Sequence, residues 1–274
     1  MKYNLLIHFL LKELIEYIRG DSVQLSEKDF LNYIKCPLYY KLEANGHNLE
    51  IDSYNKFLHY AADQFLNRLA NTQLLGNFNH ENYMKKLWDK ICIENQNIIL
   101  PKQCIQGWGM LYKLVEYFKN PKIELLDTSI TYVIAPPGSK HSLTGTLDPI
   151  IKQDDFYTTL IISFSDRLPE SYVLNMNLKH TIDAYALNEL IPNVQHTITY
   201  HSFRSGAEKD TLRLGNQFKR LENILETVGT CIENQLIYPR NSYGCSTCQM
   251  RGLCDQWIGG SIKRPGGGQF DTEI

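Results

Sequence analysis

This 274-residue sequence has no apolar run long enough to cross a bilayer. Its apolar start, Met1 to Leu11, is followed at once by Lys12, Glu13 and Glu16, and no small-residue cleavage site comes after it. Neither a membrane span nor a signal peptide is expected there; the segment reads as an amphipathic helix over 1–20. An excess of one charge is also missing. Lys and Arg number 28 against 30 Asp and Glu, a net charge of −2. No global basic field draws the chain to polyanions, so any contact with nucleic acid must be local. Internal repeats are absent, which excludes a repeat architecture. An even cysteine count is absent as well. Seven cysteines do not make a fully paired secreted framework, and they point instead to a reducing, cytoplasmic compartment and a metal site.

What is present suffices for a real core, since 43% of the residues are hydrophobic. Helical spacing predicts helices over 27–43, capped by Ser26, over 52–72, and over 80–118 with a break at Pro101. Beyond Pro121 the period changes. Ile123–Ile134, His141–Lys152 and Phe156–Ser165 read as three strands of a meander, with turns at 135–139 and at Asp154-Asp155. A helix over 171–190, a strand from Val194 to Phe203 and a helix from Gly215 to Asn234 follow. The order predicts an α/β (α+β) domain with a central mixed sheet flanked by helices. One domain is expected over 1–257: a helical part to 122, a sheet core over 123–240 and a cysteine cap over 241–257. A flexible tail is expected over 258–274.

Four cysteines stand out. Cys36, followed by Pro37, lies early; Cys245, Cys248 and Cys254 form a late Cys-x2-Cys-x5-Cys. Four thiolates meet the needs of an iron–sulfur cluster or of structural zinc, and would staple the two ends of the chain together. Cys92, Cys104 and Cys231 read as bystander thiols.

Between the cysteines lie His59 in a helix, Gly145-Thr146-Leu147-Asp148 on a strand, and Ser163-Phe164-Ser165 at the end of another. In this order, over nearly all of residues 25–257, the set resembles the RecB-like branch of the PD-(D/E)XK nuclease superfamily. More narrowly, it is similar to the iron–sulfur members, the CRISPR-adaptation nucleases and the nuclease domain of AddB. The resemblance implies a restriction-endonuclease-like core and a 4Fe–4S cluster on Cys36, Cys245, Cys248 and Cys254. Zinc would fit the same ligands. It also implies DNA threading past a cluster-bound cap.

In that family a His, an Asp and a second acid hold Mg²⁺ or Mn²⁺, and a Lys two residues after the second acid positions the attacking water. Carried over, His59 and Asp148 are the remnant metal positions, while Ser163 and Ser165 stand where the acid and lysine belong. The family's helical Tyr is Tyr185, with Thr181 at the preceding Gln position. Serine supplies neither a carboxylate nor an ammonium. Asp63, one turn after His59, is the best-placed substitute acid; Asp166 is out of phase with Ser165. Lys179 and His180 could supply a cation, and Glu170 and Asp183 are further acids nearby. Lys209, Arg213, Lys219, Arg220, Arg240, Arg251, Lys263 and Arg264 read either as a candidate phosphate-contacting surface or as a solvated helix face.

The expected function is DNA binding, to a single strand or a duplex end, on a catalytically degenerate nuclease scaffold. It would act with protein partners in repair, recombination, CRISPR adaptation or a mobile-element complex. An active Mg²⁺- or Mn²⁺-dependent deoxyribonuclease with a rearranged site, and a protein-interaction scaffold without DNA binding, are the alternatives.

Overall fold

A computed structural model describes residues 23–47, 53–72, 79–153, 156–192 and 196–258. The expectations for residues 1–20, for the Asp154-Asp155 turn and for the tail from 259 lie outside the described residues.

A short strand, β1 (Gln24–Ser26), leads into α1 (Glu27–Lys35), whose first turn is capped where the Ser26 side chain accepts the Asp29 N–H at 3.0 Å. The helix expected over 27–43 is two helices. Cys36 precedes a proline, which disfavours the helical region for it, and it adopts an extended conformation (φ −168°, ψ 118°). Pro37 then opens α2 (Pro37–Ala44) at the position where a missing N–H costs nothing. Next come α3 (Tyr54–Thr72), α4 (His80–Glu94) and α5 (Pro101–Phe118). In α3 the residues Leu58, Ala61, Ala62, Phe65, Leu66 and Leu69 are buried, the three- and four-residue spacing of one helical face.

The strands are β2 (Ile123–Asp127), β3 (Thr131–Ile134), β4 (Ser142–Thr146), β5 (Ile150–Gln153) and β6 (Phe156–Ser163). Helices α6 (Ser171–Met176) and α7 (Leu178–Leu190) lead to β7 (His196–Ser202), β8 (Glu208–Thr211) and α8 (Gly215–Glu233). A 3₁₀ turn (Tyr243–Thr247) and α9 (Arg251–Ile258) complete the described chain. Five strands form one sheet in the order β2-β5-β6-β7-β8, with β6 and β7 parallel and the other neighbours antiparallel. A second sheet runs β1-β4-β3, with β1 parallel to β4. The architecture is the expected mixed α+β class.

Three further expected elements are corrected. The strand expected over 123–134 breaks where the Asp127 carboxylate accepts the N–H groups of Thr128 and Ser129 at 2.7 and 3.0 Å, an Asx turn. The strand expected over 141–152 breaks at Leu147–Pro149, where proline lacks a ladder donor. Each half joins a different sheet, so the meander survives only as β2-β5-β6. The helix expected over 171–190 is interrupted by Asn177, whose side chain accepts the Lys179 N–H at 3.0 Å and starts α7.

Packing divides the chain into two units. One is built from Met1–Glu50, Val133–Gly145 and Glu222–Ile274, so early and late segments share it. The other, Ile51–Tyr132 with Thr146–Leu221, holds a large core in which Phe65, Trp88, Leu111, Leu160 and Phe203 are buried.

Candidate functional site

In the second unit, polar groups gather around Asp148, which lies in the bend between β4 and β5. Asn177 sets the first turn of α7 so that Lys179 and Asp183, four residues apart, share a face. The Lys179 ammonium donates to Asp183 Oδ1 at 2.5 Å and lies 3.3 Å from Asp148 Oδ2. Asp183 is fully buried, while the Asp148 side chain is 40% exposed. Burial pushes the Asp148 carboxyl up from its ordinary value, and Lys179 pulls the other way. His180, the next residue on α7, meets the Tyr200 hydroxyl through Nε2 at 2.5 Å, and its Nδ1 lies 4.0 Å from Asp183 Oδ2. Those two facing atoms are both buried, and neither has a hydrogen-bond partner among the described residues.

His59 and Asp63, on α3, belong to the same neighbourhood. The His59 ring stands edge-on to Phe164 at 5.1 Å, which brings it to the Ser163-Phe164-Ser165 end of β6. Both side chains present surface to solvent, and surrounding protein opposes both charges. Burial lowers the His59 imidazole, against the pull of Asp148. Burial, and then the Asp148 charge, push Asp63 up to about 6 from 3.8. The folded state therefore keeps a proton that the unfolded chain releases between about pH 4 and 6, and this contribution to stability is lost as pH rises through that window. Melting curves from pH 4 to 7 are expected to show the loss in the parent protein and a flatter profile in Asp63→Asn.

Ser163 and Ser165 are tied up locally. The Ser165 N–H donates to Ser163 Oγ at 3.2 Å, and Ser202 Oγ donates to the Ser165 carbonyl at 2.6 Å. Asp166 turns to Arg204 at 2.7 Å and Glu170 faces Lys209 at 3.9 Å. Tyr185 is buried edge-on against Phe218 at 5.4 Å. Thr181 accepts Arg213 Nε at 3.0 Å. Arg213 also donates to Thr211 and to the carbonyls of Leu174, Asn177 and Leu212. It locks the α6–α7 junction and is no phosphate contact, which corrects its place in the basic surface. Lys263 and Arg264 lie outside the described residues. Tyr200 escaped the sequence reading; its signal was the Thr-Ile-Thr-Tyr alternation of β7.

No three His, Cys, Asp or Glu side chains among the described residues are gathered closely enough to hold one metal ion. The divalent metal of the nuclease resemblance therefore does not fit the Asp148 group as it stands.

The first unit carries the cysteines. Cys36, Cys245, Cys248 and Cys254 line one cavity of about 360 Å³, together with Lys35, Arg240 and Arg251. Cys36, Cys248 and Cys254 pack against buried Leu38, Leu42 and Met250. The late segment is fastened to the early one by backbone contacts: the Leu38 N–H donates to the Tyr238 carbonyl at 3.1 Å, and the Tyr33 hydroxyl to the Leu236 carbonyl at 2.5 Å. The Arg240 N–H donates to Cys36 Sγ at 3.4 Å and the Ser242 N–H to Cys245 Sγ at 3.3 Å. Such donors stabilise sulfur carrying negative charge. Burial raises the Cys254 thiol, and the other three cysteines add to the shift by mutual repulsion. All seven cysteines are free thiols. The donor set fits a thiolate-ligated group. The same donor set suits zinc or an iron–sulfur cluster.

No protein-family model and no curated protein matches this sequence. Among solved structures, one named "Putative exonuclease" from Eubacterium rectale superposes with a TM-score of 0.54 at 10% identity, covering 84% of this chain and 87% of that one. A second, SSO0001, covers 91% of this chain and 96% of that one at 14% identity, with a TM-score of only 0.36. The likeness to the first shows a shared fold and no more. No helix among the described residues is long and apolar enough to cross a membrane.

Proposed function

We propose that this chain binds DNA on an iron–sulfur nuclease-like scaffold whose cutting chemistry has been lost. The observation that carries the reading is the end of β6. Serines stand at the acid and lysine positions there, Ser163 Oγ accepting the Ser165 N–H and the Ser165 carbonyl accepting Ser202 Oγ, while the nearby Asp148 is paired with a lysine. With serine at that position, β6 offers no second carboxylate to hold a metal that would neutralise charge on a scissile phosphate, which supports the loss of the family's chemistry. The four cysteines would hold the cluster as thiolates, and its role would be to fix the late segment onto α1 and α2. Lys35, Arg240 and Arg251 around the cavity supply local positive charge for a backbone phosphate. Such a protein would hold a DNA end or a single strand within a repair, recombination, CRISPR-adaptation or mobile-element complex in a reducing compartment.

Labelled single-stranded DNA, titrated over a range of salt, tests the reading. Binding is expected to weaken linearly on a log–log plot as counterions are released, and incubation with Mn²⁺ is expected to leave the DNA intact. Cleavage that Asp148→Ala abolishes would overturn the loss of chemistry. Absence of salt-dependent binding would favour a protein-interaction scaffold.

A further inference from the structure

We infer that Cys92 and Cys104 are a redox-sensitive pair, two thiols that close into a disulfide across the α4–α5 hairpin when a low-molecular-weight disulfide oxidises them. The inference goes beyond DNA binding and stands without it. Cys92 lies in the last turn of α4 and Cys104 in the first turn of α5, on helices joined by residues 95–100. Contacts around the pair fix which sides of the two helices face each other. One turn before Cys92, the Trp88 indole N–H donates to the Cys104 carbonyl at 2.8 Å. The same ring lies against Gly107, one turn after Cys104, where a missing Cβ lets the helices approach closely. Tyr54 closes the group from α3. Its ring stands edge-on to Trp88 at 6.3 Å, and its hydroxyl donates to the Gln103 carbonyl at 3.0 Å. Both cysteines pack against the same core, and the Cys92 thiol is hydrogen-bonded to that of Cys104.

The spacing suits a bridge. Helices packed about 8–10 Å apart, with Cα atoms at a radius of about 2.3 Å, leave about 3.5–5.5 Å between facing Cα atoms. A disulfide spans about 4.4–6.8 Å between them, so the two ranges overlap. Neither thiol is sealed off. Both are half-buried, and their neighbours Ile93 and Ile105 are 67% and 75% exposed. Burial, and then the bond to Cys104, push the Cys92 thiol up from its ordinary value, so Cys92 holds its proton and Cys104 reacts first. The Cys104 thiolate attacks one sulfur of oxidised glutathione, that S–S bond breaks, and one glutathione leaves. Capping Cys104 removes the partner that held the Cys92 proton. Cys92 then loses it and attacks Cys104 Sγ, and the second glutathione leaves. Two protein thiols are oxidised to one disulfide, one glutathione disulfide is reduced to two thiols, and both protons end on glutathione. Where the glutathione pool is kept reduced the pair stays open, and it closes when that pool is oxidised.

Peptide mapping of the full chain tests this. The protein is held in native buffer with excess oxidised glutathione, alkylated and digested with trypsin. Cleavage after Lys90, Lys102 and Lys113 puts the two cysteines on separate peptides, 91–102 and 103–113. The two are expected to run as one joined species that dithiothreitol separates. The oxidised protein is expected to melt several degrees above the reduced one, because the bridge restricts the unfolded chain. Cys92→Ala should lose both the joined species and the rise in melting temperature, and should carry glutathione on Cys104 instead. Because that variant keeps the four cysteines of the other unit, the comparison separates the pair from them. The joined species is read on the parent alone, so the test stands even if the variant does not fold. Parent peptides that stay separate, that join only in urea, or that each end on glutathione overturn the inference.

Discussion

Cys248→Ser is expected to bleach the purified protein and to make it insoluble or easily unfolded in the same step. Cys248 packs against Leu38, Leu42 and Met250 and lines the cavity that Cys36, Cys245 and Cys254 also line. If a 4Fe–4S cluster holds these segments, removing one thiolate removes the metal's share of folding free energy, not merely a side chain. Iron and acid-labile sulfide measured on anaerobically purified protein should fall from about four of each per chain toward zero. Cys92→Ser, on the same assay, should keep both metal and colour, because Cys92 lies on α4 in the other unit. A colourless Cys248→Ser protein as soluble and stable as the parent would remove the structural role. A parent protein that holds zinc and no iron would replace the cluster.

Gly107→Ala and Gly109→Ala are expected to change stability in opposite directions, although they lie two residues apart on α5. A Cβ at Gly107 would sit 2.3 Å from Cζ2 of Trp88. Trp88 cannot give way easily: it is 1% exposed and its indole N–H donates to the Cys104 carbonyl at 2.8 Å. Overpacking of this kind costs about 1–3 kcal/mol, and a rigid, pinned indole puts Gly107→Ala near the upper end. At Gly109 a Cβ meets nothing within 4 Å, and alanine favours the helix by up to about 1 kcal/mol. Thermal melts of the two variants beside the parent measure both, the first falling by roughly 6–12 °C and the second rising by a few. A Gly107→Ala protein as stable as the parent would show that α4 and α5 are not packed this way.

The long amphipathic helices were legible in the sequence because their burial repeats every three to four residues, and Pro101 marked the start of α5 openly. The mixed α+β class was legible from the change of period after Pro121. The positions of the strand breaks were not. Local alternation runs straight through Asp127–Ser129 and Leu147–Pro149, and only partner strands decide which side of a break joins which sheet. Strand β8 escaped because Glu-Lys-Asp-Thr has no apolar face to betray it. Around Asp148, the i,i+4 spacing of Lys179 and Asp183 was visible on paper, but the reach of Lys179 across to the β4–β5 bend is a tertiary fact. Arg213 was misread because arginine on paper looks like surface; here its donors are used up on Thr181, Thr211 and three carbonyls.

The union of early and late segments in one unit has a consequence for how the protein is made. Cys36 leaves the ribosome 209 residues before Cys245 (245 − 36). At about 5–20 residues per second, that is a wait of roughly 10–40 s. During it α1 and α2 have no Tyr238 or Leu236 carbonyl to bond, while the unit that begins at Ile51 can already fold through Leu221. Assembly of the four-thiol cavity thus waits for Cys254, and a product released before that residue would lack it altogether.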